Sequence, residues 1–296
     1  MSVRACRASR CAPRVAAARR SAWVSRHILM CDPTHYRIAY EINPWMRRAN
    51  AVLTAEAQAQ WQGLHATLQG LGVQVDLVEP GPDVPDMTFV ANAGIVLGKQ
   101  FVPANFRYAE RQPEAARFIR WFEERGYEIV RIHEPHFWEG EGDVLPYAGQ
   151  VFAGFRFRTE HRALDHLDEI LGTPTVRLEL IDPRFYHLDT CFFPITDGLA
   201  AYYPPAFNGE ARDALRERFA DLIEVPEHDA LRFACNAFRV DGTVVVNTEC
   251  DSFTAALRER GYRCVETPTA EFIKAGGSVK CLILMLDAFE GLPSAS

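Results

Sequence analysis

With 296 residues, 48% of them apolar, the chain is long enough to bury a large core, and a net charge of −7 argues against nucleic acid as a partner. The first 26 residues hold seven arginines and no acidic residue, so residues 27–296 carry −14, a balance that suits a small cationic ligand. No run of 18 apolar residues marks a membrane span, and eight dispersed cysteines without a C-x-x-C pair point to reduced thiols rather than zinc or a disulfide framework.

The Arg- and Ala-rich start reads either as an organellar transit peptide or as a coding start placed too far upstream. Residues 1–24 are therefore expected outside the fold, 25–290 as a single domain and 291–296 as a tail. The expected compartment is the cytoplasm, or an organelle if the leader is genuine.

In chain order, His27–Cys31 reads as a strand, Thr54–Leu71 as a helix and Val73–Val78 as a strand. Four similar units follow. Each begins with a polar turn that runs into an apolar hairpin, at Asp86–Val96, Glu139–Phe152, Phe185–Tyr203 and Ala230–Val246. An amphipathic helix comes next, at Glu110–Arg125, Thr159–Leu171, Gly209–Phe219 and Asp251–Arg260, with apolar residues three and four apart. A short apolar strand closes each unit, at Tyr127–Ile132, Thr175–Leu180, Asp221–Val225 and Tyr262–Thr267. A last glycine-rich turn, Lys274–Leu282, leads into an apolar strand at Leu282–Leu286, and the N-terminal elements would complete that fifth unit.

The markers Asn92, Asp143, Asp189, Asn236 and Cys281 are separated by 51, 46, 47 and 45 residues, the signature of a diverged internal repeat. The fold class expected is α/β: five ββαβ units closing into a five-bladed propeller, with all five polar turns at one end of the axis. Residues far apart in sequence would then share a central pocket.

Those turns carry chemistry. Cys281, after two glycines and beside Lys280, is placed for an accessible thiol with a lowered pKa, although carboxylates around it would raise that pKa until a cation binds. Alternation along a strand would put His187 and Asp189 on one face. In Glu139-Gly140-Glu141-Gly142-Asp143 the glycines would let backbone approach a ligand while the carboxylates face it. Asp86 and Asn92 come from the first turn. Asn92 and Asn236 read most simply as turn caps.

Together these residues resemble the guanidino-group-modifying superfamily of the pentein fold, which includes arginine deiminases, dimethylarginine dimethylaminohydrolases, amidinotransferases and arginine dihydrolases. The pieces are P-D-x-x-F-x-x-N at Pro85–Asn92, Gly142-Asp143, His187-x-Asp189 and Gly276-Gly277 ahead of Cys281. The stretches Ile42-Asn43-Pro44-Trp45-Met46, Tyr186-His187-Leu188-Asp189-Thr190-Cys191 and Phe233-Ala234-Cys235-Asn236-Ala237 bring it nearest to bacterial arginine dihydrolases. The resemblance implies Cys281 as nucleophile, His187 as general acid/base and Glu139 as guanidinium-binding carboxylate, with Glu141 a substitute because the spacing to Asp143 departs from the family's. It also implies guanidinium contacts at Asp86 and Asp189, substrate-carboxylate contacts at Arg111 and Arg158, and L-arginine as substrate without metal or other cofactor. Asn92, where many relatives have Asp, implies conversion to L-ornithine rather than a stop at citrulline. The aromatic segments Asn43–Met46 and Tyr202–Phe207 are expected to pack within the chain or form a lid in preference to a homo-oligomer interface. A non-catalytic, ribosome-binding relative of the same fold would lack the Cys/His/Glu set.

Overall fold

The computed structural model describes residues 25–132, 136–147 and 149–289. The expected leader (1–24) and tail (291–296) lie outside the described residues. No helix among the described residues is long and apolar enough to cross a membrane.

The first unit runs β1 (His27–Cys31), α1 (Thr54–Gly70) and β2 (Gln74–Val78). The second is β3 (Gly94–Leu97), β4 (Gln100–Pro103), α2 (Gln112–Glu123) and β5 (Glu128–Ile129). The third opens with a single helical turn, α3 (Gly140–Asp143), followed by β6 (Val144–Tyr147), β7 (Gln150–Phe155), α4 (His161–Leu171) and β8 (Val176–Glu179). The fourth is β9 (Phe192–Thr196), β10 (Leu199–Tyr202), α5 (Gly209–Arg218) and β11 (Asp221–Glu224). Short α6 (Glu227–Ala230) precedes β12 (Phe238–Val240), β13 (Thr243–Asn247), α7 (Asp251–Glu259) and β14 (Arg263–Thr267). The chain then passes α8 (Ala270–Ile273) and returns to the first unit through β15 (Leu284–Met285).

These strands make five three-stranded sheets, β15-β1-β2, β3-β4-β5, β6-β7-β8, β9-β10-β11 and β12-β13-β14. Each has the same plan: an antiparallel pair, then a third strand parallel to the second, as in β3–β4 and β4–β5. A parallel neighbour requires a crossover, and each crossover is one of the longer helices. β15 pairs antiparallel with β1, so the C-terminal strand completes the first sheet.

Local chemistry sets the boundaries. α4 buries Ala163, Leu164, Leu167 and Leu171 on one stripe and stops at Gly172, whose φ of 65° is left-handed. Asn208 caps α5 by accepting the Ala211 N–H at 2.8 Å. The expected strand Tyr127–Ile132 is shorter than its apolar run, because only Glu128 and Ile129 register against β4. The expected Leu282–Leu286 strand also shrinks, since Lys280–Leu282 is a 3-10 turn. Trp45 packs on Phe233 at 4.9 Å, and Met46, Tyr202, Tyr203 and Phe207 are buried, so both aromatic segments pack within the chain.

One buried ion pair joins distant units. Lys280 Nζ donates to Glu141 Oε2 at 2.8 Å, and the same oxygen accepts the Met285 N–H at 3.1 Å. Glu141 is wholly enclosed and Lys280 nearly so. Removing one partner of such a pair strands a charge, which costs about 3–5 kcal/mol. Lys280→Met should lower urea-unfolding stability by about that amount, and adding Glu141→Gln should recover more than about half of it. A single variant within about 0.5 kcal/mol of wild type would refute this assignment.

Candidate active site

The polar turns between the sheets deliver the site. Asp86 lies on a 3-10 turn at Pro85–Thr88 and Asn92 on a second one at Val90–Ala93, Glu139 precedes α3, and His187 precedes a 3-10 turn at Leu188–Thr190. Cys281 sits on the turn at Lys280–Leu282. Asp86, Asn92, Arg111, Arg158, His187 and Cys281 line one narrow pocket, with Asn43, Met46 and Tyr186 also on its wall. The other four candidates, Glu139, Glu141, Asp143 and Asp189, are buried around it.

Glu139 is the electrostatic hub. Its Oε2 accepts from Arg158 at 2.9 Å and from His187 Nε2 at 2.8 Å, and its Oε1 accepts the Arg107 N–H at 3.2 Å. Burial would raise its pKa, but the Arg158 guanidinium and the His187 bond outweigh burial and hold it well below the carboxylate range. His187 is driven the other way: burial lowers it to about 4 despite Glu139. The imidazole is therefore neutral at pH 7. With its proton on Nε2 toward Glu139, Nδ1 is the acceptor facing the Asn92 amide at 3.4 Å.

Asn92 is fixed at its other end, where Oδ1 accepts from Arg111 at 2.7 Å. Arg111 pairs bidentately with buried Glu114, at 2.8 Å twice, and reaches the Asp86 carbonyl at 3.3 Å. Burial raises Glu114 to about 7, with Arg111 opposing. Arg158 engages Glu139 and, at 3.3 Å, the Ile42 carbonyl, and lies 4.5 Å over the Tyr186 ring. These bonds use four of the donors of Arg111 and two of those of Arg158, so Arg158 keeps more for a ligand. Asp86 Oδ1 is buried and has no hydrogen-bond partner, and burial raises this carboxyl.

Three sequence expectations need correction. The Cys281 thiol is buried, and burial followed by the Asp189 charge pushes its pKa well above the ordinary 9.0; Lys280 does not lower it, because its ammonium turns to Glu141. His187 and Asp189 do not alternate along a strand, since a 3-10 turn intervenes. Asp189 instead meets the sulfur, with Oδ2 accepting from Sγ at 3.4 Å, and it lines a separate, largely apolar cavity with Phe192 and Phe193. The glycines of 139–143 do not admit a ligand: a Cβ on Gly142 would collide with the Asn92 amide and sit 3.2 Å from His187 Cγ. That glycine lets the turns that carry Asn92 and His187 close up on this one.

The two alternatives for the acid separate clearly. Glu139 joins His187 and Arg158, whereas Glu141 is held by Lys280. Asp143 is tied to Thr159 Oγ1 at 2.6 Å and to the Leu188 N–H at 3.1 Å. Tyr186, Asn43 and Glu114 were not singled out as site residues by sequence reasoning. Asn43 had a signal in the Asn-Pro-Trp segment; its amide donates to the Ala275 carbonyl at 3.0 Å, and Tyr186 donates to the Gly276 carbonyl at 2.8 Å.

The depressed His187 pKa has a stability consequence. As pH falls from about 6.5 to about 4, the unfolded chain takes up this proton first, so acidification erodes stability over that window. Nitrogen-15 NMR of His187 should find a neutral ring protonated on Nε2 at pH 6.5, with a midpoint about 4. A midpoint near the ordinary 6.5 would contradict the assignment.

The profile of the eukaryotic N,N dimethylarginine dimethylhydrolase family matches residues 38–287. The chain is 43% identical over 263 residues to the bifunctional arginine dihydrolase/ornithine cyclodeaminase ArgZ of Synechocystis sp., covering 87% of this chain and 37% of that protein. It is 42% identical over 260 residues to the N(G),N(G)-dimethylarginine dimethylaminohydrolase of Mycobacterium tuberculosis, covering 88% of this chain and 85% of that one. The crystal structure of the substrate-bound N-terminal domain of ArgZ superposes with a TM-score of 0.84 at 41% identity, over 88% of this chain and 97% of that one. The chain thus spans little more than a third of ArgZ's whole length but nearly all of its N-terminal domain, and its α/β fold is that domain's. On these matches the chain belongs to the dimethylarginine dimethylaminohydrolase family.

Proposed function

We propose that this chain is a cysteine-dependent guanidino hydrolase that converts L-arginine to L-ornithine, two ammonia and carbon dioxide. The observation that carries the reading is the convergence of Cys281, His187 and Asp86 on one pocket with ionised Glu139 directly behind the imidazole. Its frame is one catalytic domain, residues 25–290, in which the five like sheets act as five blades around a central axis. Six free cysteines among the described residues suit a reducing cytoplasm.

The steps follow from charge. A guanidinium entering the pocket gives unpartnered Asp86 Oδ1 its hydrogen bond and brings a positive charge beside the thiol, lowering the cost of the thiolate. Arg158, with spare donors and a face stacked on Tyr186, takes the substrate carboxylate. Cys281 gives its proton to His187 Nδ1 as sulfur adds to the guanidinium carbon; the C–N bond to one amino group then breaks, and that group departs as ammonia carrying the proton from Nδ1. His187 Nδ1 then takes a proton from the water that cleaves the C–S bond, while Glu139 stabilises the imidazolium. In a second round sulfur adds to the ureido carbon and the second amino group leaves as ammonia; water then cleaves the C–S bond, and the carbamate that remains on the δ-nitrogen loses carbon dioxide to give ornithine.

Asn92 separates this reading from hydrolysis that stops after one round. Its amide both donates and accepts, matching a neutral ureido group, whereas an aspartate matches only the cation. ArgZ is named an arginine dihydrolase and the M. tuberculosis relative a dimethylarginine dimethylaminohydrolase, at nearly equal identity. Dimethylarginine hydrolysis is therefore the second reading, followed by simple deimination and amidino transfer. Incubation with arginine, and separately with dimethylarginine, should give ornithine from the first and little dimethylamine from the second. Citrulline accumulating without ornithine would overturn the dihydrolase reading. Asn92→Asp should lower the ornithine-to-citrulline ratio by at least about tenfold, the effect of one hydrogen bond of about 1.4 kcal/mol.

A further inference from the structure

Two groups in direct contact with the sulfur of Cys281, Asn236 and Asp189, are unused in the mechanism above, and Asn236 is the donor of the two. It is completely buried, and its side chain is spent on the nucleophile's turn: Oδ1 accepts the Cys281 N–H at 3.1 Å, and Nδ2 donates to Cys281 Sγ at 3.2 Å and to the Asp189 carbonyl at 3.0 Å. Its own carbonyl accepts the Lys280 N–H at 3.2 Å. This pattern fixes the amide's orientation. Exchanging oxygen and nitrogen would set two N–H groups against each other at Cys281 and two carbonyls against each other at Asp189, so the NH2 end must face the sulfur.

Sγ therefore sits between opposed neighbours. Asp189 Oδ2, at 3.4 Å, is an acceptor and favours the protonated thiol, and Asn236 Nδ2 is a donor and favours the thiolate. We propose that Asn236 is a catalytic residue that holds the Cys281 thiolate, aiming the sulfur through one hydrogen bond and stabilising its charge through another. This rests on the reading of Cys281 as nucleophile and adds a role to the position that local pattern alone assigns to turn capping. The direction agrees with the thiol's surroundings, where burial and Asp189 raise its pKa and the Asn236 bond lowers it.

The test titrates the thiol itself. Iodoacetamide alkylation of the Cys281 peptide, followed by mass spectrometry across pH, gives the thiol midpoint without reference to turnover. Asn236→Asp keeps the size and the acceptor for the Cys281 N–H but replaces the donor to sulfur with a carboxylate that itself raises the thiol, so Asn236→Ser, which removes the donor without adding a charge, is titrated beside it and must show the rise as well. The midpoint should rise by at least about one unit in each, and kcat with arginine should fall at least about tenfold while KM changes less than about threefold. If Asn236→Asp does not fold, as read by thermal melting, Asn236→Ser, which is too short to reach the sulfur, carries the expectation alone. A folded variant whose midpoint matches wild type would overturn the proposal, whatever its loss of kcat, and leave Asn236 a turn cap. Failure of the nucleophile reading looks different: Cys281→Ser would keep its turnover, while the alkylation midpoints still report on Asn236.

Discussion

The site is organised around a carboxylate that water does not reach. Glu139 is held ionised by Arg158 on one side and by the His187 N–H on the other, all three essentially buried. A buried ion is tolerated only when its lone pairs are filled and a countercharge is near. Filling them dictates much else. Nε2 carries the proton of His187, Nδ1 becomes an acceptor, and Asn92 supplies it with a donor while passing its oxygen to Arg111. One pairing thus fixes a tautomer, a ring orientation and an amide rotamer.

The same burial makes the resting site quiet. Desolvation pushes the Cys281 thiol up and the His187 imidazole down, so neither carries charge near neutral pH without a ligand. The pocket nevertheless leaves Asp86 Oδ1 without a partner, and Asp189 Oδ1 beside the sulfur is likewise unpaired. A site with unspent acceptors and a reluctant thiol is matched to a cation. On the proposed reading a guanidinium supplies both the missing donor and the charge that lets sulfur ionise, which restricts chemistry to the bound substrate and spares the thiol from casual oxidation.

The architecture was legible where hydrophobic period alone decides it. The expected Thr54–Leu71, Gly209–Phe219 and Asp251–Arg260 helices end within one residue of α1, α5 and α7, although only α5 carries a side-chain cap, Asn208. The return of β15 to β1 was readable from the incomplete first unit. The turns were less legible. Their 3-10 geometry follows from packing between units, which no local pattern encodes, so the alternation inferred for His187 and Asp189 failed. Adjacency also misled at Lys280, whose side chain leaves the neighbouring thiol for Glu141 in another unit. Asn236 stood out as a repeat marker, yet its contact with sulfur depends on two turns 45 residues apart.

Covalent attack by Cys281 is the claim on which the chemistry rests, and trapping the intermediate tests it most directly. The protein is mixed with L-arginine, quenched in acid during steady-state turnover, digested and analysed by mass spectrometry. The account predicts that the peptide containing Cys281 gains the mass of arginine less one ammonia and that no other peptide does. Sustained turnover with Cys281 unmodified at every quench time, or an adduct on a different residue, would contradict it.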